Sequence, residues 1–137
     1  MPCPLPDIDA LCGSYSGSGA WIDEAGESKP YRVRQSISRS DQDVMVDYTH
    51  EFYEEGSTTS GTFVLQPHGA NLLKVFMSGK QTGHGFVFAR YLHYYLKVGE
   101  IFVQVSYQAS ATGLDVHGSS SSNAQGRFIA WYECLRR

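Results

Sequence analysis

The chain has 137 residues, 42% of them hydrophobic and 18% charged, with a net charge of −3 at neutral pH. That balance fits one globular domain over 1–137, long enough to bury a core without metal or disulfide staples. Lys and Arg are scattered singly, which excludes the basic face of a nucleic-acid binder, and Arg90, His93, Lys97 and Glu100 interrupt the richest apolar stretch, which excludes a membrane-spanning helix.

Pro6, a capping Asp7 and a terminating Gly13 predict one helical turn over Asp7 to Leu11, with residues 1–12 forming an N-terminal plug. A first strand follows from about Ser14 to Ile22. Tyr31, Val33, Gln35 and Ile37 then alternate with Arg32, Arg34 and Ser36, the mark of a half-buried strand. Val44, Val46, Tyr48, His50 and Phe52 alternate with Met45, Asp47, Thr49, Glu51 and Tyr53, so His50 falls on an apolar face.

Strands are expected at Thr59 to Gln66 and Leu72 to Ser78, and His84 to Val98 reads as one long bent strand. Gly99 and Glu100 turn the chain into Ile101 to Gln108. A short strand near Leu114 to His117 precedes Ser119 to Ser122, read as a solvated hairpin tip, and Gln125 to Leu135 closes the chain. With about ten strands and no helix to cover a sheet, the edges must be hidden by closure or by pairing two sheets. The expected fold is an all-β, antiparallel up-and-down barrel of about 8–10 strands, with a Greek-key sandwich as the alternative.

The opening Leu11-Cys12-Gly13-Ser14-Tyr15-Ser16-Gly17-Ser18-Gly19 resembles the L-x-G-x-W-x-G-x-G start of nitrobindin-like barrels within the lipocalin-like (calycin) group, with Tyr15 in place of Trp. The aromatic closing strand with its final basic pair, Phe128 to Arg137, is similar to that group's ending. The resemblance implies a barrel with an internal cavity whose floor is closed by the aromatic residue. It would also imply a haem-ligating His in the last strand. Gln125 to Arg137 has no His, so haem is not carried over and no cofactor is expected.

Met1 to Pro6 lacks the basic start and apolar run of a secretory signal, and a cytoplasmic location is expected. Cys3, Cys12 and Cys134 form no CxxC pair and read as free thiols, although closure of first strand on last would bring Cys12 near Cys134. No histidine spacing suggests a metal site. His68 and His117 border turns and are expected in solvent, whereas His50, His84 and His93 lie on strands that converge if a barrel forms.

An inward His84 would carry Phe86, Phe88 and Arg90 with it by the two-residue strand period. Arg90 then becomes the expected anchor for an acidic ligand, facing Tyr48, His50 and Phe52 across the cavity. Among the phenols of Tyr91, Tyr94, Tyr95 and Tyr107, Tyr107 completes the expected ligand-binding set. The function expected is the binding of a small hydrophobic or amphipathic molecule by a monomer or homodimer that engages neither nucleic acid nor membrane. One alternative is a cofactor-independent isomerase or lyase using His50 or His84 as acid/base. Another is a filled barrel acting as a protein-interaction module through an outer patch of Leu72, Phe76 and Leu92.

Overall fold

The computed structural model describes residues 8–69, 71–122 and 126–137. Cys3, the expected capping residue Asp7 and the expected start of the last strand at Gln125 lie outside the described residues. A 3-10 turn over Ile8–Leu11 leads into ten strands: β1 (Gly13–Asp23), β2 (Ser28–Ser40), β3 (Asp43–Phe52), β4 (Ser57–Pro67), β5 (Leu72–Met77), β6 (Lys80–Phe88), β7 (Tyr91–Val98), β8 (Ile101–Ala109), β9 (Gly113–Ser122) and β10 (Arg127–Arg136). Each strand pairs antiparallel with the next, and β10 returns to β1, closing the barrel. This is the up-and-down closure expected from the sequence. No sheet edge is left to cover.

The two-residue period sends alternate side chains inward and stacks them in layers. The end nearest the 3-10 turn is filled: Ile8 and Leu11 pack with Tyr15, Ile37, Val44, Leu65, Leu73, Leu114 and Leu135 in one buried cluster. Tyr15 donates its hydroxyl proton to the Leu11 carbonyl at 2.7 Å. The Arg137 guanidinium reaches the Cys12 and Ala10 carbonyls at 3.0 and 2.7 Å and lies over the Tyr15 ring. The final basic residue thus satisfies carbonyls that the short turn leaves open.

Three local expectations change. His84 to Val98 is not one strand but a hairpin, because the chain reverses at Ala89 and Arg90, with Ala89 in the left-handed region at φ 51°. The serine run is not a solvated tip; Ser119 to Ser122 form the last residues of β9, paired with β8 on one side and β10 on the other. Leu92 is a buried core residue while Leu72 is exposed, so the outer patch expected to unite them does not form.

Cys12 and Cys134 are also apart. Cys134 sits opposite Ser18, well along β1, and points outward as a free thiol, while Cys12 lies by the 3-10 turn. Trp21 and Trp131, by contrast, are direct cross-strand partners. Among the described residues no helix is long and apolar enough to cross a membrane.

Candidate ligand cavity

Beyond the filled end, the inward side chains leave a cavity of about 590 Å³, within the usual range for a small-molecule site. Its walls are apolar and aromatic: Trp21, Phe52, Met77, Leu96, Ile101, Val103, Ile129 and Trp131 surround it. Two glycines make room for rings. A Cβ on Gly118 would lie 2.3 Å from the Trp131 indole, and one on Gly61 would lie 2.4 Å from the Tyr48 hydroxyl.

The cavity floor is polar. Alternation along β2 and β3 brings Tyr31, Gln35, Tyr48 and His50 inward, β7 and β8 supply Tyr94 and Tyr107, and β10 supplies Glu133, which is only 4% exposed. Tyr31 donates to Glu133 Oε2 at 2.8 Å, and His50 Nε2 lies 3.4 Å from the same oxygen. Gln35 Nε2 donates to the Tyr107 hydroxyl at 2.6 Å, which lies 3.2 Å from that of Tyr94. The His50 ring lies 4.7 Å from that of Tyr31 and 5.0 Å from that of Tyr48, and the Tyr31 and Phe52 rings are 5.2 Å apart.

Burial governs the protonation of this floor. It pushes the Glu133 carboxyl up to about 7, against the hydrogen bond from Tyr31, which favours the carboxylate. It pulls His50 down to about 4, so the imidazole is neutral at physiological pH. Burial, reinforced by the nearby Glu133 charge, raises the phenols of Tyr31 and Tyr48 above the ordinary tyrosine value.

Four of the expected ligand-binding residues, Tyr48, His50, Phe52 and Tyr107, line the cavity. The other four do not. His84, Phe86 and Phe88 project from the outer face of β6, and Arg90 occupies the exposed turn that follows. The reason is that Gly83, Gly85 and Val87 take the inward positions. A Cβ on Gly83 would lie 1.9 Å from the Tyr95 carbonyl oxygen and one on Gly85 would lie 2.6 Å from that of His93, so β7 approaches β6 through the missing side chains.

Outside, His84 Nδ1 lies 3.1 Å from the Tyr95 hydroxyl, and Phe86 stacks on His93 with centroids 5.2 Å apart. The expected convergence of His50, His84 and His93 therefore reduces to His50 alone. Of the four candidate phenols, Tyr94 and Tyr107 face in while Tyr91 and Tyr95 face out. His68 and His117 are exposed as expected. Among the described residues no group of three His, Cys, Asp or Glu could hold a metal ion.

Glu133 is the functional candidate that the sequence reading does not single out. Its signal is present: Trp131 and Leu135 flank it at a two-residue period, so an inward apolar face carries Glu133 with it.

No protein-family model and no curated protein matches the chain. Among solved structures, an S-type phycobiliprotein lyase, CPES, from Guillardia theta superposes with a TM-score of 0.77 at 9% identity, over 95% of this chain and 89% of that one. A redesigned beta barrel aligns with a TM-score of 0.47 at 14% identity, over 99% and 98% of the two chains. The likeness to the lyase shows the fold, a closed antiparallel β-barrel.

Proposed function

We propose that the chain acts as one domain that binds a small, mainly apolar molecule inside the barrel. The observation that carries this reading is the cavity of about 590 Å³ with aromatic walls and a few convergent polar groups on its floor, the composition expected of a ligand site. The phycobiliprotein lyase that shares the fold agrees with a barrel of this kind having a molecular function, although fold alone does not choose the ligand. Kinship with nitrobindin-like domains belongs to this reading too, supported by the Gly17 and Gly19 opening but without a histidine on the described part of β10. A cytoplasmic monomer or homodimer completes it, in keeping with the free thiol of Cys134.

The test is native mass spectrometry of the purified protein beside a denatured sample. A reproducible added mass, released on denaturation and absent from a Val103→Trp variant that fills the cavity, is the expected result. The bare mass alone, across several preparations, would count against the reading.

A second reading, an isomerase or lyase on the same barrel, is favoured by one observation: neutral His50 and protonatable Glu133 lie 3.4 Å apart on the cavity floor. Such a pair can take a proton from one carbon of a bound molecule and return one to another. Incubation in deuterium oxide tests it. The molecule recovered from the protein gains deuterium at an acidic C–H position under this reading, and not in a His50→Gln variant; no incorporation speaks against it.

A further inference from the structure

The polar end of the cavity has a definite sign. Glu133 is buried, and none of the residues lining the cavity is Lys or Arg. Its Oε2 is engaged by Tyr31 and approached by His50, whereas Oε1 has no hydrogen-bond partner among the described residues. Arg90, the cation expected to receive an acidic ligand, lies in an outer turn. A buried carboxylate with one oxygen unpaired is unfavourable until a cation or strong donor reaches that oxygen. The rings of Tyr31, Tyr48, His50 and Phe52 beside it are the surroundings that attract a cation through their negative faces.

We propose that the cavity takes an amphipathic amine, its ammonium group on Glu133 Oε1 among the rings of Tyr31, Tyr48 and His50, and its apolar body between Trp21, Leu96 and Trp131. The inference rests on the binding reading above and specifies its ligand class. An anionic head in the same position would face Glu133 with no cation to offset the repulsion. An alcohol would gain a hydrogen bond but not the charge, and charge-assisted hydrogen bonds are roughly twice as strong as neutral ones.

The pH dependence follows from the groups around the carboxyl. Gly19 of β1 and Val116 of β9 flank it without titrating, and Tyr31, Gln35, Tyr48, Tyr94 and Tyr107 face it in neutral form. His50 is neutral above about 4. Amine binding therefore strengthens as pH rises through about 7, where Glu133 loses its proton.

Calorimetric titration with three probes of one shape, 1-naphthylmethylamine, 1-naphthylmethanol and 1-naphthoic acid, tests the proposal. At about pH 8 the amine should bind at least about tenfold more tightly than the alcohol, with the acid weakest. In Glu133→Gln the amine and alcohol should become equal. In the unaltered protein the amine's advantage should shrink at about pH 5.5, a readout that needs no variant to fold. Equal affinity for amine and alcohol, tighter binding of the acid, or a preference that survives both Glu133→Gln and the pH change would overturn the amine assignment while leaving the cavity reading in place. Binding of none of the three would overturn both.

Discussion

Tyr31 and Glu133 meet across a single residue: Gly19 of β1 pairs with Tyr31 on one side and with Glu133 on the other, and their side chains join in front of it at 2.8 Å. A Cβ at position 19 would lie 2.5 Å from the Tyr132 carbonyl oxygen, 2.8 Å from Glu133 Cγ and 3.1 Å from Tyr31 Cζ. The missing side chain is the space in which the polar floor of the cavity assembles. Gly19→Ala is therefore expected to destabilise the protein by about 1–3 kcal/mol, the usual cost of overpacking a closed interior. Urea unfolding measures it, and a variant as stable as its parent would contradict the packing described.

Stability against pH should carry two opposed contributions. Burial raises Glu133 from 4.5 to about 7, so the native carboxyl holds a proton that the unfolded chain has already released. Its contribution is fully present below pH 4.5 and is lost as pH rises through about 7. Burial lowers His50 from 6.5 to about 4, so the unfolded chain binds the proton first. That contribution is present above pH 6.5 and is lost as pH falls through about 4.

Each effect is on the order of 3 kcal/mol, and the two largely cancel between pH 4.5 and 6.5. Glu133→Gln should expose the His50 effect, with stability rising from about pH 4 to 6.5, whereas His50→Gln should show stability falling from about pH 4.5 to 7. Denaturant midpoints collected across that range measure both slopes. Parallel, flat curves for the two variants would contradict the assigned protonation states.

The β2 and β3 strands are legible because mainly apolar residues recur at every second position between mainly polar ones, and that period alone carries Tyr48, His50 and Phe52 into the cavity. β6 misleads for the opposite reason. Its bulky aromatic residues occupy the outer face and its glycines the inner one, so hydrophobicity points the wrong way, and only the close approach of β7 at Gly83 and Gly85 resolves the register. Ser119 to Ser122 look like a loop because serine carries little strand preference, yet backbone pairing on both sides holds them in β9. Glu133 is legible only if a charged residue between Trp131 and Leu135 is read as following the face of its neighbours.

Ala89 occupies the left-handed region at φ 51° in the two-residue turn between β6 and β7, a conformation that costs an L-residue roughly 1–2 kcal/mol relative to glycine. Ala89→Gly should raise stability by up to about 1 kcal/mol once the greater freedom of the unfolded chain is offset. Arg90→Met in the same turn should leave ligand affinity unchanged. Thermal unfolding and probe titration check the two expectations, and a large loss of affinity in Arg90→Met would contradict its exposed position.

The most direct test of the binding cavity is titration with Nile red, a neutral dye whose emission shifts to the blue in apolar surroundings, excited in its own absorption band. The unaltered protein should bind about one equivalent saturably, and a Val103→Phe/Val105→Phe variant, which fills the chamber those valines line, should remain folded and lose at least about tenfold in affinity, the effect of removing room for a buried apolar body. Unsaturable binding, or equal affinity in the folded, filled variant, would contradict a ligand site inside the barrel.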